Sequence, residues 1–473
     1  MVALTPRPAL VIAVLASCGL CVSLMQTLVI PLLPQFPRLL NATPATVAWL
    51  VTATLVAGAV CAPLLGRLGD LYGRRRLLLV ALVLVAVGSA LGAASPDVGT
   101  LIVGRAMQGA SLGVVPLGMS IMRDLLRADR VGSGVALMSS SLGIGGAIGL
   151  PLTGVVAQHT SWRWLFAGAA VLALVLIALV AILVPASGER APGRFDFPGA
   201  IGLAGALVCM LLAVSKGSEW GWGSPLVIGL LVAAAALFVV WGAWELRARS
   251  PLVDLRVSAR PAVLWTNVAS ILIGFAMFAG FLVTTQILQA PLGTGYGFGL
   301  SLVAAGIVML PTGISMTVFS PVSARISARW GARTTLVLGT SILVVGNIAL
   351  AFLPASIPLV LVATSVSSIG AALSYSALPM LIMDAVPPTE TAAANSLNTL
   401  MRQLGTSSCS AVVAAVATGF TVMTDGQMFP AGTAYTVVFA TAAAGAAVGC
   451  VIAALTPRPQ AAEVCEQVLA EAA

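Results

Sequence analysis

Apolar runs of about twenty residues, separated by short polar connections, recur along the whole chain. A run of that length crosses the roughly 30 Å hydrocarbon core of a bilayer as a helix. Without water, each segment must satisfy its own backbone amides, and long continuous runs do so as helices. The pattern predicts helices over 9–33, 45–66, 77–95, 99–121, 133–157, 162–184, 198–215, 225–245, 262–289, 300–322, 334–353, 357–380, 397–420 and 434–455, fourteen in all. The expected fold is an all-α integral membrane protein with no separate soluble domain. The first run follows a short basic start at Arg7. It is too long for a signal peptide and carries Pro31, Pro34 and Pro37 in place of a small-residue cleavage pattern, so it is expected to remain as a span.

Composition agrees with that pattern. Of 473 residues, 59% are hydrophobic and 8% charged, against roughly 25% charged in soluble domains. The net charge of +8 comes from scattered arginines with Lys216 as the only lysine. They form no basic stripe interleaved with aromatics, which argues against a nucleic-acid partner. Counted loop by loop, the basic residues divide sharply. One set of alternate connections, with both termini, holds 18: Arg7, Arg67, Arg74, Arg75, Arg76, Arg123, Arg127, Arg130, Arg190, Arg194, Arg247, Arg249, Arg256, Arg260, Arg325, Arg329, Arg333 and Arg458. The other set holds 3: Arg38, Arg163 and Lys216. Basic residues stay on the cytoplasmic side, so a plasma-membrane protein with both termini in the cytoplasm is expected. Arg105 and Arg402 fall inside apolar runs. Arg402 is close enough to the start of its run to snorkel to the cytoplasmic surface, whereas Arg105 should face the bundle interior, because an arginine at membrane depth costs on the order of 2.5–3.5 kcal/mol.

An internal repeat divides the chain. Gly66 to Arg75, between the second and third runs, matches Ala324 to Arg333 at an offset of 258 residues: Arg67 with Arg325, Tyr72 with Trp330, Gly73 with Gly331, Arg75 with Arg333. Two six-helix bundles with two helices inserted between them account for this. The divisions are 1–188, 189–258 for the inserted pair, 259–456, and a cytoplasmic tail at 457–473.

The loop Gly66 to Arg76, the stretch Arg105-Ala106-Met107-Gln108-Gly109 and the glycine-rich Gly143 to Gly154 with Pro151 resemble three signatures of the major facilitator superfamily. Trp162 to Phe166, Asp196-Phe197-Pro198-Gly199 and the number of runs resemble its fourteen-helix drug:proton antiporter branch. The resemblance implies a secondary transporter that exports drugs or small amphiphilic metabolites by alternating access, coupled to protons. Gly66 and Gly73 permit a tight connection, and Asp70 with Arg74 forms a latch that the rocking halves make and break. The resemblance associates Arg105 with proton coupling, with Gln108 and Gly109 beside it. The glycines around Pro151 serve close helix packing, although Leu150 stands where the family's antiport signature has glycine.

The chain departs from that branch in its first helix. Thr27 and Pro34 fit, but Met25 occupies the place of an aspartate, and all fifteen acids lie in loops, span ends or the tail. Coupling would then fall to a peripheral acid such as Asp70, Asp124 or Asp384. A dication would find no buried counter-charge, so the expected small-molecule substrate is neutral, zwitterionic or anionic, the last drawn by Arg105. Gln26, Gln108, Gln286, Gln289 and Tyr375 are candidate polar cavity residues, with Met25, Met277 and Phe281 as adaptable apolar surface.

No catalytic group, cofactor or metal is expected, and a monomer suffices. Cys18 and Cys21 form a lone C-x-x-C, and the only histidine is His159. Lys216 lacks the sequence context of a phosphate-binding loop. Two other readings stand beside export: an uncoupled facilitator or importer of a physiological solute, and, more remotely, an integral membrane transferase.

Overall fold

A computed structural model describes residues 8–33, 35–186, 190–352, 355–424 and 427–456. Arg7, Pro34, Glu189, Asp425, Arg458, Cys465 and the expected tail at 457–473 lie outside them. The long helices are labelled in chain order. The first eight are α1 Pro8–Thr27, α2 Pro44–Tyr72, α3 Arg74–Ala94, α4 Val98–Leu125, α5 Ala128–His159, α6 Arg163–Leu183, α7 Phe197–Trp220 and α8 Pro225–Glu245. They are followed by α9 Pro261–Gln289, α10 Leu302–Val318, α11 Ser320–Ala351, α12 Ile357–Ala385, α13 Thr391–Gly419 and α14 Gly432–Leu455.

Side-chain oxygens that accept from backbone amides start several of them. Asp97 caps α4, Asp196 α7, Ser224 α8 and Ser301 α10. At Asp97, outside the membrane, the bonds from the Thr100 backbone and hydroxyl pull the carboxyl below its usual range.

Twelve segments among the described residues are long and apolar enough to cross a membrane, against the fourteen expected from hydropathy. Two features make the difference. α10 and α11 run together in one 49-residue segment, Val303–Ala351, broken at Gly331 by a non-helical φ of 85°. α13, whose first turns read Thr-Ala-Ala-Ala-Asn-Ser, is too polar to qualify.

Helices α1–α6 surround one apolar core, with Leu15, Leu50, Leu78, Leu101 and Phe166 at its centre. Helices α9–α14 surround a second, built on Ile273, Leu343, Leu378 and Phe439. The 258-residue repeat is visible at the backbone, because Gly73 and Gly331 both take positive φ, 110° and 85°. A side chain would be strained at either position. The matched arginines do equivalent work: Arg75 donates to the Ala181 carbonyl at the end of α6, and Arg333 to the Ala454 carbonyl at the end of α14.

The inserted pair packs at the junction of the two bundles. Leu203, Leu207 and Leu211 of α7 meet Ala59 of α2 and Leu400 of α13. Lys216, expected in a loop, lies within α7 and is buried. Its ammonium reaches Glu219 at 2.7 Å and the Ala45 carbonyl at 3.3 Å, and stands 5.3 Å from the centre of the Trp49 ring. A short antiparallel hairpin, Thr421–Thr424 with Gln427–Pro430, joins α13 to α14. The Tyr296 hydroxyl donates to its Pro430 carbonyl at 2.6 Å.

Candidate functional site

Three linked regions lie between and within the bundles. The first closes the Gly73 end. Asp70 and Arg74 are 1% and 2% exposed. Two nitrogens of Arg74 donate to Asp70 Oδ1 at 2.9 and 2.8 Å, and Nη1 donates to Asp124 Oδ1 at 2.5 Å. The same guanidinium reaches across to the Pro388 carbonyl before α13. Asp70 also crosses to the other bundle, accepting the Ala392 amide at 3.3 Å on Oδ1 and the Ala393 amide at 2.8 Å on Oδ2. These are free amides of the first turn of α13, where the helix dipole favours an anion. Arg123 adds a bond to Thr391 Oγ1 at 2.5 Å. Gly66 allows the approach, since a Cβ there would collide with the Ser396 hydroxyl and lie 2.7 Å from the Ala392 carbonyl. The repeat places Ala328 opposite Asp70 in the second bundle, so the latch has no second copy at the matched loop.

The second region is Arg105, 1% exposed. Its Nε donates to the Leu50 carbonyl at 3.1 Å, and Nη1 to the Met25 carbonyl and Gln108 Oε1, both at 2.7 Å. Gln108 in turn donates to Ser89 Oγ at 2.8 Å. One guanidinium thus ties α1, α2 and α4 together, with α3 reached through Gln108. At Gly109 the helix tightens into a 3-10 stretch to Gly113, and a Cβ at Gly109 would lie 2.7 Å from the Thr54 carbonyl. Arg105 is not among the residues lining the cavity, and its neutral partners all belong to its own bundle. The expectation that it draws an anionic substrate directly is therefore corrected.

The third region is a cavity of about 280 Å³ between the bundles, close to the lower end of the roughly 300–1,000 Å³ of small-molecule sites. Gln26, Met277, Phe281 and Tyr375 line it. Met25, Gln286 and Gln289 do not. Met25 is buried behind the wall, its sulfur 3.9 Å from Ser89 Oγ. Gln286 and Gln289 lie about 7.5 and 12 Å beyond Phe281 along α9 at 1.5 Å per residue, and Gln289 folds back onto the Thr285 carbonyl. Gln108 is buried with Arg105 and also lies outside the lining.

Arg402 does line the cavity, and it does not snorkel. The polar opening of α13 hid its first turns from the hydropathy pattern. Because the helix begins at Thr391, Arg402 lies about 16 Å along it. It is 6% exposed, bonded to Asn398 Oδ1 at 3.1 Å and Thr399 Oγ1 at 3.0 Å, with its Cζ 5.1 Å from the Tyr375 ring centre.

The glycines of α5 serve two neighbours. Gly145 and Gly149 face Ser23 and Thr27 of α1, while Gly143, Pro151 and Gly154 face Met316, Gly306 and Val303 of the second bundle. A Cβ at Gly313 would collide with Ala147 and lie 2.9 Å from the Gly143 carbonyl, so α5 and α10 approach nearly backbone to backbone.

The Major Facilitator Superfamily profile matches residues 15–408. The tetracenomycin C resistance and export protein of Streptomyces glaucescens is 31% identical over 67% of this chain and 58% of its own length. The puromycin resistance protein of Streptomyces alboniger is 31% identical over 69% and 64%. The multidrug resistance protein Stp of Mycobacterium tuberculosis is 27% identical over 87% and 76%. The match thus spans less than two thirds of the first two relatives. Among solved structures, the human organic anion transporter MFSD10 superposes with a TM-score of 0.67 at 19% identity, over 95% of this chain and 100% of that one. A proton:xylose symporter gives 0.63 at 15%, over 95% and 96%. With the matched profile, the paired bundles and a cavity between them, the chain belongs to the major facilitator superfamily, a family of membrane transporters and not of enzymes.

Proposed function

We propose that this protein exports small amphiphilic molecules, drugs or hydrophobic metabolites, across the plasma membrane by alternating access. The observation that carries this reading is a cavity walled by both bundles and closed at one end by the Asp70 latch. In this reading residues 1–188 and 259–456 rock about the cavity as a monomer, the chain crosses the membrane fourteen times, and the latch end faces the cytoplasm with both termini. The eighteen basic residues on that side support the orientation. Arg105 braces the first bundle as a unit, and the glycine seam around Pro151 is a surface on which the bundles turn. Resistance and export relatives favour outward movement of antibiotics.

Coupling to protons would act through the latch. A proton on Asp70 removes the charge that holds the Ala392 and Ala393 amides and frees the bundles to part. A second reading, uncoupled facilitation, is favoured by the absence of any acid among the residues that line the cavity. Everted vesicles loaded with a pH-sensitive dye separate the two. Under coupling, tetracenomycin C discharges an imposed proton gradient, and collapsing the gradient abolishes uptake. Uptake that persists undiminished without a gradient excludes coupling. Vigorous transport of a bis-quaternary biocide would contradict the preference for neutral, zwitterionic or anionic substrates.

A further inference from the structure

Arg402 is a cation placed deep between helices, on the wall of the cavity, with only neutral side chains to hold it. Asn398 is fixed first, because its Nδ2 donates to Asn267 Oδ1 at 3.0 Å and Ser270 Oγ at 2.7 Å. That leaves its Oδ1 turned toward Arg402 Nη1, while Thr399 accepts from Nη2. The Tyr375 ring covers one side of the guanidinium. Among the described residues no carboxylate lies within ion-pair distance of it, although Arg74 has two such partners and Lys216 one. Where Arg105 is enclosed by carbonyls behind the wall, Arg402 is preset and open to the cavity.

A guanidinium at low dielectric, held in place and short of a counter-charge, attracts an anion strongly, and its planar fork of donors suits the paired oxygens of an oxyanion. The rest of the lining is soft and apolar, including Met277, Phe278, Phe281, Met309 and Met316. We propose that Arg402, oriented by Asn398 and Thr399, is the anion-recognising subsite of this cavity, and that the transported class is an aromatic amphiphile bearing one deprotonated acid group. The acid docks on Arg402 beside Tyr375, and the rings lie on the methionine and phenylalanine surface of α9 and α10. This rests on the export reading above and narrows its substrate.

Two fluorescent probes differ by one sulfonate and test the point: 8-anilinonaphthalene-1-sulfonate and uncharged N-phenyl-1-naphthylamine. Each is titrated into the full-length protein in nanodiscs, with empty nanodiscs subtracted. The intact protein should bind the sulfonate at least tenfold more tightly, about 1.4 kcal/mol. Arg402→Gln should bring the ratio to one while leaving the affinity for the uncharged probe within twofold. Arg402→Lys, which keeps the charge without the fork, should retain part of the preference. That ratio separates recognition from a structural role, since a distorted cavity would weaken both probes together. Equal binding of both probes by the intact protein, an undiminished preference in Arg402→Gln, or parallel losses for both probes would overturn the subsite and leave export standing. If the intact protein binds neither probe, the export reading for aromatic amphiphiles falls, and the subsite with it.

Discussion

Replacing Asp70 by Asn tests the latch with almost no change of shape. The carboxylate receives the Ala392 and Ala393 amides on different oxygens. Asparagine keeps one acceptor and turns the other into a donor, so one bond to α13 is lost and the other becomes neutral. Arg74 keeps Asp124 and the Pro388 carbonyl and is not stranded. A hydrogen bond to a charged group contributes roughly 1.5–3 kcal/mol and a neutral one about 1. The variant should therefore favour parting of the bundles at this end by ~2–4 kcal/mol, a shift of roughly 30-fold to 1,000-fold in the open-to-closed ratio. Asn395 offers a reporter position. It is 2% exposed, and neither side-chain polar atom has a partner among the described residues, so Asn395→Cys loses no hydrogen bond seen there and adds no bulk. In a parent otherwise free of cysteine, a membrane-impermeant maleimide added to everted vesicles should label this thiol slowly, and at least 30-fold faster when Asp70→Asn is added. Thermal melting of both proteins should stay within a few degrees. Labelling within twofold of the parent would refute the assignment of Asp70 as the tie between the bundles.

Other substitutions probe the remaining regions. Arg105→Ala strips donors from the Met25 carbonyl and Gln108 Oε1, while the Leu50 carbonyl keeps the Thr54 hydroxyl; at roughly 1–3 kcal/mol for a buried group left unpaired, the melting temperature in detergent should fall by several degrees and vesicle transport should be lost. Gly313→Val drives a side chain into Ala147 and the Gly143 carbonyl. Overpacking of this kind costs roughly 1–3 kcal/mol, and transport should fall tenfold or more. Gly168→Ala, where a Cβ meets nothing within 4 Å, should leave transport unchanged and raise stability by up to about 1 kcal/mol, which serves as the control in the same melting and uptake assays.

Much of the architecture was legible because lipid makes hydropathy nearly equivalent to secondary structure. The loop glycines, the repeat and the burial of Arg105 could be read from the placement of a few charges. What was not legible has separate physical reasons. α13 begins with small polar residues because its first turns serve the other bundle: Ala392 and Ala393 present amides to Asp70, and Ser396 lies against Gly66. A hydropathy window starts that helix six residues late, and the delay turned Arg402 from a cavity residue into a surface one. Lys216 was misplaced in the same way, since α7 continues to Trp220 around a buried cation that Glu219 and Trp49 accommodate. Residue type within an apolar run marks Met25, Gln286 and Gln289, and type says nothing of which side of a helix faces the cavity. The hairpin at 421–430 is too short to leave a period.

The placement of α7 makes the protein lopsided in the membrane plane. Two lines of contact between the bundles run from one membrane surface toward the other. Along α5 and α10, Ile148, Val155, Ile307 and Ile314 are exposed beside the line. Along α2 and α13 the line is covered by α7, with Phe238 and Trp241 of α8 packed against it. Lys216 adds a polar tie from α7 to the start of α2, whereas the α7 leucines meet Leu400 of α13 through apolar contact alone. Of the two lines between the bundles, one is therefore left bare along its outer side, and the other is roofed by α7 with α8 outside it.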